Sequence, residues 1–418
     1  MNKIILILIS YIYCTFTSSY SNSLSEKYLD DASLYSVKLR VSVDKPFIED
    51  KKVGLRLGSG FLVDKKKGLI ITNAHVTGSS ISKVRVAFRD NDFIYAKQVY
   101  VDQEIDMAII KIKTSDIPPK IKEAKLMCND KVANGASVAA FGHPKGLSFS
   151  ASRGIVSKYR FYRGKDVIQT DAAINSGNSG GPLIDLNTGL VIGINKSSFK
   201  NSQGLSFAVP SNYVCIILNL FKEGKNPAPI ELPLRFAEDR EAENYKKVSS
   251  FFYNGKNIEI GSLLIEVDGK KINSPSELSF YLRGRKGEAK LTFQSNQGIN
   301  SYKIKLKPRQ KVLDRKFLYL SGAIISKDYS SKYDDLKIPF FIHSVIDGTE
   351  AELAGLWQHC WIKSVERVEP RDLEHIKSLV INKKEVSIIT RCFSSRTDVM
   401  TSDYFLKLKI DNQKIYLN

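Results

Sequence analysis

Asn175-Ser-Gly-Asn-Ser179-Gly-Gly-Pro-Leu183 sets a serine among glycines just ahead of the apolar pair Leu183-Ile184. Glycine reaches backbone conformations closed to other residues, so the chain can turn tightly here. The amides of Gly177, Asn178 and Ser179 can then point into one small space. Converging amides hold a developing oxyanion, and a hydroxyl beside them becomes a nucleophile once a base takes its proton. Gly180 and Gly181 would let a substrate backbone approach closely. An ordinary turn uses the same residue types, so the loop needs partners. Even so, Gly-Asn-Ser-Gly-Gly-Pro before an apolar strand is far more specific than a lone Gly-x-Ser-x-Gly. It reads as the nucleophile loop of a serine peptidase.

Candidate partners lie upstream. Leu69-Ile-Ile-Thr-Asn-Ala-His75-Val is a β-branched run that ends on a histidine, and Asp102-Gln-Glu-Ile-Asp106-Met-Ala-Ile-Ile-Lys-Ile is a polar turn feeding another apolar strand. Imidazole is the side chain that ordinarily titrates close to neutrality, and a carboxylate can fix its tautomer. The order His, Asp, Ser is that of the chymotrypsin-type barrels rather than of the subtilisin or α/β-hydrolase arrangements. A single histidine in a strand, or a single aspartate before one, is more often structural. The three in order within one domain-sized window point to a triad.

Further runs sit around these: Gly58-Ser-Gly-Phe-Leu-Val63, Thr72-Asn-Ala-His75-Val, Phe141-Gly-His-Pro-Lys-Gly-Leu147, Thr170-Asp-Ala-Ala-Ile-Asn175 and Gly204-Leu-Ser-Phe-Ala-Val-Pro-Ser-Asn212. With them the chain resembles the HtrA/Deg family of PDZ-containing serine proteases, from about residue 34 to residue 222. The resemblance implies that His75 is the base, Asp106 its orienter and Ser179 the nucleophile. Asp102 competes for the aspartate role, but Asp106 directly precedes Met-Ala-Ile-Ile, as the family's catalytic aspartate does. In such a fold Ala173, beside Ile174, would floor the substrate pocket, with Leu205, Ser206 and Phe207 as walls. A floor without a carboxylate leaves a buried Arg or Lys unpaired, so Val, Ala, Ile or Leu is expected before the cut. The resemblance also implies a homotrimer, with Tyr28, Leu29, Leu34 and Tyr35 as contacts. No cofactor and no metal is expected.

Lys and Arg total 63 against 44 Asp and Glu, a formal charge of +19. The lysines are spread along the chain, as in Lys303-Ile-Lys-Leu-Lys307. That is the pattern of solvated strand faces, not of a nucleic-acid patch, though an anionic envelope surface is a compatible partner. Met1-Asn-Lys3, the apolar run Ile4–Phe16 and the small residues Thr17–Ser21 read as an export signal over 1–21. The apolar run falls short of the roughly 20 residues a membrane span needs, although an uncleaved anchor would tether the chain. Cys128, Cys215, Cys360 and Cys392 have neither metal-site spacing nor a disulfide framework, and are expected as small buried residues.

Short alternating strands with Gly/Asn/Lys turns fill 34–210 and imply an antiparallel, mainly β architecture, here a chymotrypsin-like double β-barrel. The expected domains are a protease over 22–222, a linker over 223–233 and two PDZ-like α+β domains over 234–310 and 312–418. Ser211 or Asn212 would cap a helix before the linker. PDZ domains capture chain ends by adding a peptide strand beside a loop of amides. The first region carries Ile258–Asn273 as a strand pair around Asp-Gly, but its loop near Leu234–Glu241 is charged and lacks glycine, which suits a spacer. The second has Leu320-Ser321-Gly322-Ala323, which could cradle a peptide carboxylate. The function expected is an exported serine endopeptidase for misfolded proteins, active in the periplasm or outside the cell in stress response. The alternatives are a regulatory protease with one client, and a non-cutting chaperone or PDZ-type adaptor.

Overall fold

A computed structural model of the chain describes residues 24–43, 54–78, 82–143, 149–162, 165–175, 177–198, 204–236, 248–251, 258–327, 339–358, 360–393, 400–412 and 415–417. The expected export signal and part of the loop near Leu234–Glu241 lie outside them. The chain divides into two compact units. One is built mainly from 84–310 with N-terminal segments, the other mainly from 311–418.

Strands β1 (Ser36–Val43), β2 (Gly54–Asp64), β3 (Leu69–Thr72), β4 (Lys83–Ala87), β5 (Ile94–Asp102) and β6 (Met107–Lys111) close a barrel in the order β1-β2-β3-β6-β5-β4. A second closed barrel follows, from β7 (Ser137–Gly142), β8 (Ser150–Tyr162), β9 (Lys165–Thr170), β10 (Pro182–Asp185), β11 (Val191–Ser198) and β12 (Ser206–Pro210). This is the double barrel the sequence implies. Two of its strands, β5 and β9, escape the alternation test. In β5 the register shifts between Gln98 and Tyr100, and such a bulge breaks the period of two. In β9 the polar Lys165-Asp166 opens a six-residue strand.

Phe61, Ile71 and Ile109 of the first barrel share one core with Phe141, Ile184 and Ile194 of the second. Helix α1 (24–35) and helix α3 (Ser211–Lys222) pack on this core through Leu29, Tyr35, Val214, Ile217 and Leu218. Tyr35 is buried, and the Tyr28 ring lies over Gly189. Residues expected at a subunit contact therefore pack on the chain's own barrel. Nor does Ser211 cap α3. Pro210 holds the N-cap position without a side-chain bond, and the Ser211 hydroxyl donates to the Met127 carbonyl.

The expected linker is structured. Ala228 and Ile230 are buried, Ile230 bridges Pro308, and Glu231 donates its amide to Lys307. It opens the first PDZ-like domain, which holds β13 (Leu234–Phe236), β14 (Val248–Phe251), β15 (Leu263–Val267), β16 (Lys270–Lys271), helix α4 (Pro275–Leu282), β17 (Glu288–Ser295) and β18 (Gly298–Lys305). Asp268-Gly269 makes the β15–β16 turn with both φ positive, as a two-residue hairpin prefers. Helix α4 starts on the N-cap Ser274, which accepts from the Glu277 amide, while Glu277 accepts from the Asn273 amide just before it. Its Leu278 and Leu282 face the domain's own core.

The second unit holds β19 (Phe317–Leu320), β20 (Ala323–Lys327), β21 (Phe340–Val345), helix α5 (Glu350–Leu353), β22 (Cys360–Val365), helix α6 (Leu373–Val380), β23 (Glu385–Phe393), β24 (Met400–Lys409) and β25 (Ile415–Leu417). Its sheet runs β24-β23-β22-β21-β20-β19-β25. The stretch expected to cradle a carboxylate, Leu320–Ala323, is a hairpin. Leu320 pairs with Ala323, and Ser321-Gly322 is a tight hairpin turn with φ of 48° and 112°. That turn spends its carbonyls on the amides of Ala351 and Ile346. Because β20 is paired to β19 on one side and β21 on the other, it has no edge for an added strand. The four cysteines also differ from expectation: Cys128 bonds Cys215, and Cys360 bonds Cys392. Cys360 and Cys392 face each other in the β22–β23 register, a proximity that spacing along the chain cannot reveal.

Candidate active site

The site is assembled from three places in the barrels. His75 sits in the short helix α2 (Ala74–Thr77), which follows β3 directly. Asp106 ends the turn between β5 and β6 with φ of 62°, a left-handed conformation that only a firmly held non-glycine residue keeps. It is held on three atoms. Asn73 donates its side-chain amide to the Asp106 carbonyl at 2.8 Å, and the His75 amide donates to Oδ1 at 2.9 Å. The His75 Nδ1 lies 3.1 Å from Oδ1 and 2.9 Å from Oδ2. Such contacts fix the ring so that its Nδ1 faces the carboxylate and its Nε2 lies on the opposite side of the ring. The His75 side chain is 48% exposed and that of Asp106 only 11%. Burial pushes the Asp106 carboxyl up, but the His75 hydrogen bonds and the charges of His75 and Lys196 outweigh it, so the group lies below its ordinary range.

The loop that carries Ser179 is shaped by backbone packed on backbone. Ser59 donates its hydroxyl to the Gly177 carbonyl at 2.6 Å and its amide to the Ser179 carbonyl at 2.9 Å. Gly180, at φ of 86°, lies so close to Ser59 that an added Cβ would stand 2.2 Å from its carbonyl oxygen. A Cβ on Gly181 would stand 2.2 Å from the Phe141 carbonyl. These two glycines therefore admit the protein's own backbone beneath the loop, which is what their place in the sequence could not distinguish from room for substrate. Among the described residues the amides of Gly177 and Ser179 have no backbone acceptor, whereas Asn178 donates its amide to Asn175 at 3.0 Å. Asn178 is thus committed to the turn and drops out of the expected oxyanion set.

The Ser179 hydroxyl donates to the carbonyl of Lys196 at 2.8 Å. The Lys196 ammonium lies 3.8 Å from Asp106 Oδ2, so β11 contributes both a carbonyl and a charge to the site. Sequence reasoning missed Lys196, Ser59 and Asn73. Ser59 and Asn73 lie in quoted motifs, which was the available signal, but their partners are remote in the chain. His143 lies in another of these motifs. Its amide donates to Ser59 Oγ at 3.1 Å, and its Nδ1 accepts from the Phe149 amide at 3.0 Å. Burial first, then the Lys38 charge, pushes this imidazole down to about 3.

The expected pocket residues divide. Ala173 is exposed and Leu205 partly so. Ile174 points instead into the second barrel's core, Ser206 accepts from the Ile174 amide, and Phe207 stacks on Tyr162 at 4.9 Å. Those three are buried supports rather than pocket walls. Asp102, the competing aspartate, binds Arg283 instead of His75. Among the described residues no group of His, Cys, Asp or Glu could hold a metal ion.

The trypsin-like peptidase domain family matches residues 58–194. A probable periplasmic serine protease do/HhoA-like of Haemophilus influenzae is 30% identical over 311 residues, covering 68% of this chain and 66% of that protein. Protease Do-like 1, chloroplastic, of Arabidopsis thaliana is 36% identical over 223 residues, 50% of this chain and 49% of that one. The chain thus spans from about half to just under two thirds of the length of these curated relatives. Among solved structures, the HtrA-type protease AlgW with decapeptide superimposes with a TM-score of 0.52 at 25% identity, covering 68% of this chain and 99% of that one. A serine endoprotease from Yersinia pestis gives 0.51 at 23% identity, with 68% and 98% covered.

Proposed function

The chain belongs to the HtrA/Deg family of serine proteases, and from that premise we propose that it is an exported serine endopeptidase working through His75, Asp106 and Ser179. The observation that carries this is the two-point hold of Asp106 on the His75 ring and amide beside a serine loop of converging backbone. A carboxylate so placed stabilises the imidazolium that forms when His75 takes the Ser179 proton. The hydroxyl has one proton, now directed at the Lys196 carbonyl. It turns to His75 Nε2 as the oxygen attacks a peptide carbonyl. The amides of Gly177 and Ser179 receive the oxyanion, and His75 then passes the proton to the leaving amine.

Ala173 brings no charge to the cleft, so cleavage follows Val, Ala, Ile or Leu with weak choice among them, since a methylene discriminates by only about 1–3 kcal/mol. Apolar residues become available when a protein unfolds, which suits misfolded chains as substrates. Periplasmic naming of several relatives supports export to that compartment, and among the described residues no helix is long and apolar enough to cross a membrane. Fluorophosphonate labelling tests the reading. Wild type should be labelled covalently at Ser179 and cleave casein, and the absence of labelling would remove the proposal.

A further inference from the structure

A wholly enclosed ion pair lies outside the triad, and its cation comes from the first PDZ-like domain. Arg283 follows directly on α4, and both its side chain and that of Asp102 are 0% exposed. Its Nη1 donates to Asp102 Oδ2 and, at 2.8 Å, to the Pro227 carbonyl. Its Nη2 lies 3.3 Å from Glu104 Oε1. The charges of Asp102 and Glu104 outweigh burial and hold the guanidinium firmly protonated. Removing ions from water is costly unless partners replace the lost solvation, so this contact locks two segments in one geometry.

The locked segment is the turn that ends on Asp106. Asp102 pairs with Met107 across the hairpin neck. Its Oδ1 accepts the Ile105 amide at 3.2 Å, and its Oδ2 accepts the Tyr100 hydroxyl at 2.7 Å. Glu104 takes a second bond from α4 through the Ser279 hydroxyl. Asp106 therefore keeps its left-handed backbone under restraint from two sides, the first barrel through Asn73 and His75, and α4 through Arg283 and Ser279. The same helix is anchored elsewhere on the barrels. Phe280 belongs to their shared core and stacks on Tyr213 at 4.0 Å, and Ser274 donates to Asp166 at 3.0 Å.

We infer that Arg283 is a positioning residue for the catalytic centre, acting through Asp102 and Glu104 to aim Asp106 at His75. The first PDZ-like domain is then a built-in brace of the active site. This rests on the peptidase reading above. The test compares full-length wild type, Arg283→Met and Arg283→Lys by kcat and KM on a chromogenic peptide, by fluorophosphonate labelling rate and by thermal midpoint. It then repeats Arg283→Met in an Asp106→Asn background. A misplaced orienter should cost about 10- to 100-fold, in kcat and labelling rate with KM unchanged, and Arg283→Lys should recover part of it. With Asp106 already disabled, Arg283→Met should cost nothing more in labelling rate.

An equal further loss in that background, or an unchanged kcat in the single variant, overturns the inference. If Arg283→Met does not fold, Glu104→Gln serves in its place, because that partner is partly exposed. It should lower kcat several-fold with the same saturation, and an unaltered kcat again overturns the inference. Wild type that resists labelling altogether sinks the peptidase reading instead.

Discussion

The two C-terminal regions resemble the same domain type and have spent their binding surfaces differently. In the first, α4 is buried on two faces, one in its own core through Leu278 and Leu282 and the other in the barrel core through Phe280. In the second, α6 packs Ile376 and Val380 against Leu318 and Leu320, and those leucines belong to β19, paired along β20. A peptide captured by strand addition would need that same edge. The second region thus holds a strand of its own chain where a ligand strand would pair. Likeness of fold does not carry likeness of site; what occupies the edge decides.

The largest effect sets the scale for any contribution from either region. Ser179→Ala removes one oxygen from a loop whose shape depends on backbone, so the thermal midpoint should stay put. Because triad members act as a unit, casein cleavage should fall by about 10⁴-fold or more. Retained cleavage by a clean preparation would leave no enzyme for the first region to brace.

Next comes Gly322→Ala in the second region. A Cβ there would stand 2.0 Å from Thr349 Oγ1 on a backbone at φ of 112°. Strain and overpacking together should cost about 3 kcal/mol, read as faster hydrogen exchange across β19 and β20. If exchange is unchanged, the sealed hairpin is wrong and an open cradle returns.

A smaller effect, in the barrels that the first region braces, depends on pH. His143 is held near 3 in the fold against an ordinary value of 6.5, so the unfolded chain takes up the proton first. Its contribution is complete above about pH 6.5 and declines as pH falls toward 3, by at most about 1.4 kcal/mol per pH unit. Denaturant melts at pH 7 and 5.5 should show His143→Gln losing less than wild type over that interval. Equal losses would mean the imidazole is protonated in the fold.

Smaller still is Ser274→Ala, which removes the α4 cap and the bond to Asp166. A lost cap costs about 1 kcal/mol, and the unfolding midpoint in denaturant should drop accordingly. No drop would show that α4 does not depend on its N-cap. The last expectation is a null. Titrating the protein with apolar-ended peptides should give no binding by the second region that responds to amidation of the peptide end, because β20 is already paired on both sides. Amidation-sensitive binding lost on Leu320→Asp would reverse the comparison.

Much of the fold was legible because its signals are local. Alternation marked most barrel strands, and Asp268-Gly269 marked a hairpin. The bulge in β5 erased the same signal. Pro227, Pro229 and the polar residues ahead of them made 223–233 look like a linker, although Ile230 finds its partner at Pro308. Of the site, His75, Asp106 and Ser179 were legible as residue types in order. Ile174 and Phe207 were misplaced because a buried apolar residue looks the same in a wall and in a core.

The sequence by itself determined the barrels, the family and the order in which His75, Asp106 and Ser179 follow one another, since periodicity and short motifs write these into neighbouring residues. Tertiary structure alone decided which of Asp102 and Asp106 meets His75 and which meets Arg283. It also decided that Ser59 reaches Gly177, that four cysteines pair, and that Ser321-Gly322 closes a hairpin rather than a cradle. Each of these depends on atoms far apart in the chain coming within hydrogen-bonding or covalent reach. Such proximity is fixed by the packing of the barrels and sheets as a whole, and no local pattern of residues encodes it.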